Sequence, residues 1–360
     1  MLNAPNIRLF HKANNELGEG AFYDSANDVV YWVDIPHRKI CKLDASKQYS
    51  EIELDAEPGF LVVTEDGGLL VGADKKIMLF ENGILVGDVS LTCEHPDVGV
   101  NDGSISPDGK TIFFGTKHTT EIEKLGESYV ISDKVSSTGQ RFIVFNGPTF
   151  ALDGAKAYFT DSPTGVIEVA DYDQLTGRLS NVKEFARVPE SEGYPDGMAI
   201  DSEGCLWSAH WDGARITRYL PNGTVDKVYK MPVSRPTSLA FASSDLKTLI
   251  VTSADMDDPV RPRQSNVIQD GDLLAFDVDV PGVILPAYSG SFLENALIQS
   301  GTILSAAQSP PPITFPALAV ETFGESSSEK NDLIYELLAI STQAFEALYG
   351  SIPPNLSFSR

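Results

Sequence analysis

The sequence predicts an all-β protein: a six-bladed β-propeller over about residues 8–288, followed by a C-terminal extension, 289–360, containing one amphipathic helix. Three observations predict it. Helical periodicity is scarce before about residue 290, and short β-rich runs recur instead, each introduced by a turn. The unit recurs six times, at roughly 40–50 residues, which is the period of a four-stranded propeller blade. An eight-stranded barrel or a sandwich fits less well, because neither produces a repeat of that length.

The most apolar runs are Val29–Ile35, Gly68–Ala73, Thr111–Thr116, Ala157–Asp161, Cys205–Trp211 and Thr248–Ala254. Tight-turn pairs stand just before several of them: Asp66-Gly67, Asp108-Gly109, Asp153-Gly154 and Glu203-Gly204. Such pairs tolerate the positive φ that hairpins require. A further strand-like run follows many of them, as in Lys39–Asp44, Ile77–Phe80, Val166–Val169, Arg215–Tyr219 and Leu273–Val278. After about Tyr288 the composition changes, and Ser309–Pro312 and Gly324–Ser328 read as linker punctuation. Between Glu329 and Leu348 the apolar spacing becomes helical, with Ser328 as a cap and Gly350 as a stop. One helix is too little for an independent domain, so it is expected to dock or to mediate self-association.

Asp plus Glu outnumber Lys plus Arg by 51 to 27, a formal charge of −24 at pH 7. That field repels phosphate backbones and anionic lipid, so neither nucleic acid nor a membrane surface is an expected partner. No run approaches the 18 or so apolar residues of a membrane span. The first 15 residues show no apolar signal core. Three scattered cysteines, Cys41, Cys93 and Cys205, form neither a disulfide framework nor a CxxC pair. A cytoplasmic enzyme or binding protein is the expectation.

The repeat also predicts where chemistry sits. Aligned on their turn–strand pairs, the six units place Glu19, Phe60, Asn101, Asn146, Asp196 and Thr237 at one equivalent point, on a loop ahead of the apolar strand and aimed at the central channel. Four of the six are carboxylates or carboxamides, a closed set of oxygen donors that suits a hard divalent cation. Taken singly, Pro195-Asp196-Gly197 and Asn146-Gly147 read equally well as ordinary turns. His210-Trp211 ends a strand and either reaches the channel mouth or, as the more ordinary reading, packs in the outer blade. His37, His95 and His118 lack ligand spacing, so no zinc cluster is expected from them. The charged stretch Asp255–Asp270 reads either as a lid over the channel or as a solvated loop, and its acids do not match an EF-hand.

Several segments resemble the SMP-30/gluconolactonase/regucalcin family: LGEGAFYDSANDVVYWVDI, NDGSISPDGKTIFFGT, NGPTFALDGAKAYFTDS, YPDGMAIDSEGCLWSAHWDGARITRYLPNG and RPTSLAFASSDLKTLIVTSA. The likeness runs in order along about residues 10–288. It implies a propeller with one divalent cation at the channel mouth and a sugar-lactone substrate. Carried over residue by residue, it implies Glu19, Asn146 and Asp196 as metal ligands and Asp196 also as acid/base. Asn101 is implied to contact substrate or a metal-bound water. An all-oxygen ligand set suits Ca²⁺, Mg²⁺ or Mn²⁺, with Zn²⁺ or Fe²⁺ also accommodated.

The implied reaction is metal-dependent hydrolysis of an aldonolactone of the glucono, arabino, galactono or xylono type. The metal acts as Lewis acid, Asp196 moves the proton, and Asn101 orients the carbonyl or donates to the developing oxyanion. A non-catalytic calcium-binding or regulatory propeller is the alternative from another class. Two departures concern substrate contacts. Gly99 stands where the family often has an arginine, and Gly115-Thr116-Lys117 stands for its GTM, followed by His118-Thr119-Thr120 and Glu121.

Overall fold

A computed structural model describes residues 6–256, 268–290 and 292. Within them the chain forms six four-stranded antiparallel sheets. Their inner strands are Gly18–Asp24, Pro58–Val63, Val98–Ile105, Phe145–Phe150, Tyr194–Ile200 and Pro236–Ala242. Each of these packs against the next in cyclic order, and the last packs against the first, so they surround one axis. These are the blades of the predicted propeller, and they are numbered here in that order. The ring is closed by Arg8–His11, which pairs with Leu273–Asp277 and supplies the fourth strand of blade 6.

The sequence's most apolar runs are the second strands of the blades. Val29–Asp34 and Leu69–Ala73 are buried at every position. A strand covered by a neighbouring blade on each face carries an unbroken apolar run, which makes it conspicuous. Trp32, Trp207, Phe113 and Phe114 are all below 2% exposed. Each large apolar side chain so buried contributes about 1.5–3 kcal/mol. Blades 3 and 4 meet through Phe113, Phe142, Phe145 and Phe159. Their ring centroids lie 4.9–6.1 Å apart, mostly edge to face. Gly115 is required by this contact, since a Cβ there lies 2.1 Å from Phe145 Cγ.

The inner and outer strands are what the sequence pattern hides. The outer strands Tyr49–Glu53 and Val225–Lys230 are largely exposed and polar. Five of the six inner strands carry glycine. The reason is close approach: Cβ atoms at Gly59, Gly147 and Gly197 lie 2.4–2.7 Å from the backbone of the next blade.

After blade 6 the chain crosses the far end of the axis. Gly282 bridges to Asp201 and Tyr288 to Thr64. Val283, Ile284 and Leu285 line the channel together with the inner strands. Tyr288 and Phe292 join the core of blades 1 to 3. The expected helix at 329–348 and most of the Asp255–Asp270 stretch lie outside the described residues.

Candidate functional site

The ring residues do not sit on loops, as the turn–strand alignment predicts, but on the inner strands themselves. Neither Asn146-Gly147 nor Pro195-Asp196-Gly197 is a hairpin turn. Each inner strand slips register at the ring level: between Glu19 and Phe22, Pro58 and Phe60, Val100 and Asp102, Asn146 and Thr149, Pro195 and Met198, and Pro236 and Leu239. A bulge re-aims a side chain that the alternation of the strand sends elsewhere. Gly20 and Gly147 take φ of +57° and +63° at these points, a region that excludes most side chains.

Four of the six positions meet in one cavity. Glu19, Asn101, Asn146 and Asp196 line a volume of about 350 Å³ at one end of the axis. The other two do not. The Phe60 ring tucks beneath Gly72 and Gly103, and Thr237 Oγ1 donates to the Gly18 carbonyl and meets Thr252 Oγ1.

The hydrogen bonds fix the amides. Asn101 Nδ2 donates to the Phe145 carbonyl (2.8 Å) and to Asn146 Oδ1 (2.7 Å). Asn146 Nδ2 donates to Ser162 Oγ at 2.9 Å, leaving its Oδ1 a second lone pair. Both N–H groups of Asn101 are therefore spent, which corrects the expectation that it donates to an oxyanion. Its Oδ1 is the atom left for a ligand.

A fifth residue was missed. Asp102 is buried and accepts the N–H of Gly103 and that of Gly147, both at 2.7 Å. It anchors the blade 4 bulge that presents Asn146. The acid lies in the NDG segment, but the repeat alignment singles out one position per blade, and Asp102 is a second from blade 3.

Burial and mutual repulsion dominate the electrostatics. Desolvation, then the charge of Asp102, pushes Glu19 up to about 8. Desolvation raises Asp102 to about 7 even against its two backbone donors. Asp196 is raised well above the usual carboxylate range by burial, then by Glu19 and Asp102. Its Oδ1 is buried with no hydrogen-bond partner. Three crowded carboxylates and one orphaned oxygen fit a divalent cation held by Glu19, Asn146 and Asp196.

Lys117 and Glu121 reach the cavity rim and pair at 2.5 Å, and Trp211, Tyr194 and Met256 supply apolar wall. Gly99 lies directly opposite Lys117 in the blade 3 ladder, so side chains at the two positions project from the same face. A Cβ at Gly99 makes only ordinary contacts, 3.7–3.8 Å from the Asp74 backbone, so packing does not demand glycine there.

The other candidates separate cleanly. His210 is fully buried, donating from Nδ1 to the Glu192 carbonyl at 3.0 Å, and belongs to the packing. Its neighbour Trp211 does line the cavity. His37 pairs with Asp34. Contrary to the expectation from spacing, His95 and His118 do meet: with Asp97, their potential ligand atoms lie within 4.8 Å of one another. The pairing of Val98 with His118 brings the two segments together, and no sequence spacing reports it.

Comparison with known proteins agrees with the propeller fold. A 6-deoxy-6-sulfogluconolactonase of Pseudomonas putida is 31% identical over 287 residues, covering 76% of this chain and 95% of that protein. Regucalcin of Xenopus laevis is 28% identical over 290 residues, with the same coverage of 76% and 95%. The crystal structure of a calcium-binding protein, regucalcin, from Agrobacterium tumefaciens superposes with a TM-score of 0.71. It is 26% identical and the match covers 79% of this chain and 98% of that one. Residues 17–255, which carry every ring position, match the family described as SMP-30/Gluconolactonase/LRE-like region, and the chain belongs to that family.

Proposed function

We propose that the protein hydrolyses a sugar lactone to the corresponding aldonic acid in a metal-dependent reaction. The observation that carries this reading is the partnerless Asp196 oxygen beside Glu19 and Asn146, in a cavity large enough for a monosaccharide. The names of the similar lactonase and of the calcium-binding regucalcin support it. A divalent cation bound by Glu19, Asn146 and Asp196 supplies Lewis-acid polarisation of the lactone carbonyl.

The chain's own residues do the rest. Asp196 takes a proton from the attacking water and returns it to the ring oxygen as the acyl–oxygen bond breaks. Asn101 Oδ1 accepts a hydrogen bond from a substrate hydroxyl, because its amide protons hold Asn146 in place. Lys117 grips sugar oxygens from the position opposite Gly99, doing the work of the absent arginine. An ammonium there also favours lactones carrying an acidic group, so 6-deoxy-6-sulfogluconolactone belongs beside the neutral glucono-, arabino-, galactono- and xylonolactones. The walls of Trp211 and Tyr194 exclude bulk water from the reacting centre.

The test is proton release from that panel, on metal-stripped protein and after addition of Ca²⁺, Mg²⁺, Mn²⁺, Zn²⁺ or Fe²⁺. Turnover restored by metal is expected, and the best substrate names the sugar. Cation binding without turnover on any lactone overturns the reading and leaves a binding propeller.

A further inference from the structure

We infer that the protein carries a second metal site, for a transition-metal cation, built from His95, Asp97 and His118. It is separate from the oxygen-donor ring and does not depend on the lactonase reading. His95 and Asp97 lie on the connection from the outer strand of blade 2, Ile84–Ser90, to the inner strand of blade 3. His118 ends the second strand of blade 3, Ile112–His118. The two rings face each other edge on, with centroids 5.1 Å apart and planes at 74°.

The histidine inventory makes this pair distinctive. The chain has five histidines. His11 stacks on Tyr49, His37 pairs with Asp34, and His210 is committed to the Glu192 carbonyl. His95 and His118 alone are set beside each other with a carboxylate, that of Asp97, within reach of both. Two imidazoles and one carboxylate, with water in the fourth position, form a donor set for Zn²⁺ and its neighbours rather than for Ca²⁺.

The backbone holds the site while its side chains keep freedom to close. Val98 pairs with His118, and Thr119 N–H donates to the Asp97 carbonyl at 3.0 Å, so the two segments are already tied. His118 is 8% exposed and is the fixed member, whereas His95 is half-buried and Asp97 exposed. Metal–nitrogen bonds of about 2.0–2.1 Å need ligand atoms roughly 3.4 Å apart in a tetrahedron. Rotation of His95 and Asp97 supplies that contraction from 4.8 Å. It breaks a long contact, from Asp97 N–H to His95 Nδ1 at 3.2 Å, and because His118 Nδ1 already meets Thr120 Oγ1 at 2.9 Å, Nε2 is the ligating atom of His118. The nearby cations are engaged elsewhere: Lys75 with the Pro96 carbonyl, Arg141 with Glu94 and Lys117 with Glu121.

The site has a bearing on the cavity. His118 adjoins Lys117, and its carbonyl accepts the N–H of Glu121. A metal at His118 therefore clamps the turn that brings Lys117 and Glu121 to the rim.

The experiment is calorimetric titration of the metal-stripped full chain, carrying no histidine tag, with Zn²⁺ and separately with Ca²⁺. Two equivalents of Zn²⁺ and one of Ca²⁺ are expected. His95→Ala, at a half-buried loop position, and His118→Gln each lower Zn²⁺ uptake by one equivalent and leave Ca²⁺ binding unchanged. A Zn²⁺ stoichiometry that is the same in the unaltered protein and in His95→Ala overturns the proposal. Should His118→Gln fail to fold, His95→Ala decides alone, with its Ca²⁺ binding as the check that it is folded.

Discussion

Gly147→Ala tests whether the bulge in blade 4 builds the site. Gly147 sits at φ +63°, and an added Cβ lies 2.5 Å from the Asp196 carbonyl oxygen and 2.5 Å from Met198 Cε. The methionine end can move, but the carbonyl belongs to the adjacent inner strand and carries a proposed metal ligand. Left-handed backbone costs an L-residue roughly 1–2 kcal/mol. Crowding a well-packed interior adds about 1–3 kcal/mol. The sum, about 2–5 kcal/mol, corresponds to a fall in Tm of roughly 4–10 °C for a domain of this size. The displacement also disturbs the Gly147 N–H bond to Asp102 and the separation of Asn146 from Asp196. Cation affinity should fall at least about tenfold, the equivalent of 1.4 kcal/mol. Gly67→Ala is the control. It has φ +79° and nothing within 4 Å of the new Cβ, so it carries the backbone cost without the crowding. Thermal unfolding and cation titration of both variants distinguish the terms. If Gly147→Ala loses no more stability than Gly67→Ala and binds the cation as the unaltered protein does, the reasoning about the bulge is refuted.

Two further outcomes follow from the site and its surroundings. Asp196→Asn keeps the shape of the side chain but removes its base, so kcat at saturating metal should drop by about 10²–10⁴; near-unchanged kcat would take Asp196 out of the acid/base role. His210 is lowered to about 4 by burial, so the folded state holds it neutral while the unfolded chain protonates near 6.5. Its contribution is fully present above pH 6.5 and is lost as pH falls toward 4, about 3 kcal/mol in all. Urea midpoints of the unaltered protein and of His210→Asn should therefore converge on acidification; parallel pH profiles would contradict it.

The blade period was legible because one strand per blade is covered on both faces. Val29–Asp34 and Thr248–Ser253 announce themselves by apolar runs. The inner strands were illegible for a physical reason. GEGAFYD and YPDGMAI must pass within van der Waals distance of a neighbouring backbone and turn polar groups to the axis, so they are written in glycine and polar residues and resemble turns. Register along the repeat located four channel residues all the same, since equivalent positions in a closed ring converge whether they lie on loops or strands. What depends on cross-strand register was not legible. Asp102 needed the bond to Gly147, and His118 needed its pairing with Val98.

The same register separates cation binding from substrate choice. Asp102 directs both oxygens to backbone donors, so it adds charge beneath the ring without presenting an oxygen to the ligand. The field offered to the proposed cation is thus set by Glu19, Asp102 and Asp196, all buried, and by the amide of Asn146 that Asn101 orients. The proposed substrate contact lies above them, at the rim. There the ladder gives one positive side chain a choice of two opposed positions, 99 and 117, and this chain places it at 117. The ammonium is tied to Glu121 rather than to a ring carboxylate, so Lys117 can release to a substrate oxygen without altering the bonds that fix the ring. On the proposed reading, relocating the positive side chain changes which sugar substituent is gripped while leaving the proposed metal ligands untouched. Lys117→Ala should accordingly raise KM, most for acidic lactones, with cation affinity kept; a lost cation at unchanged KM would show that rim and ring are not separable.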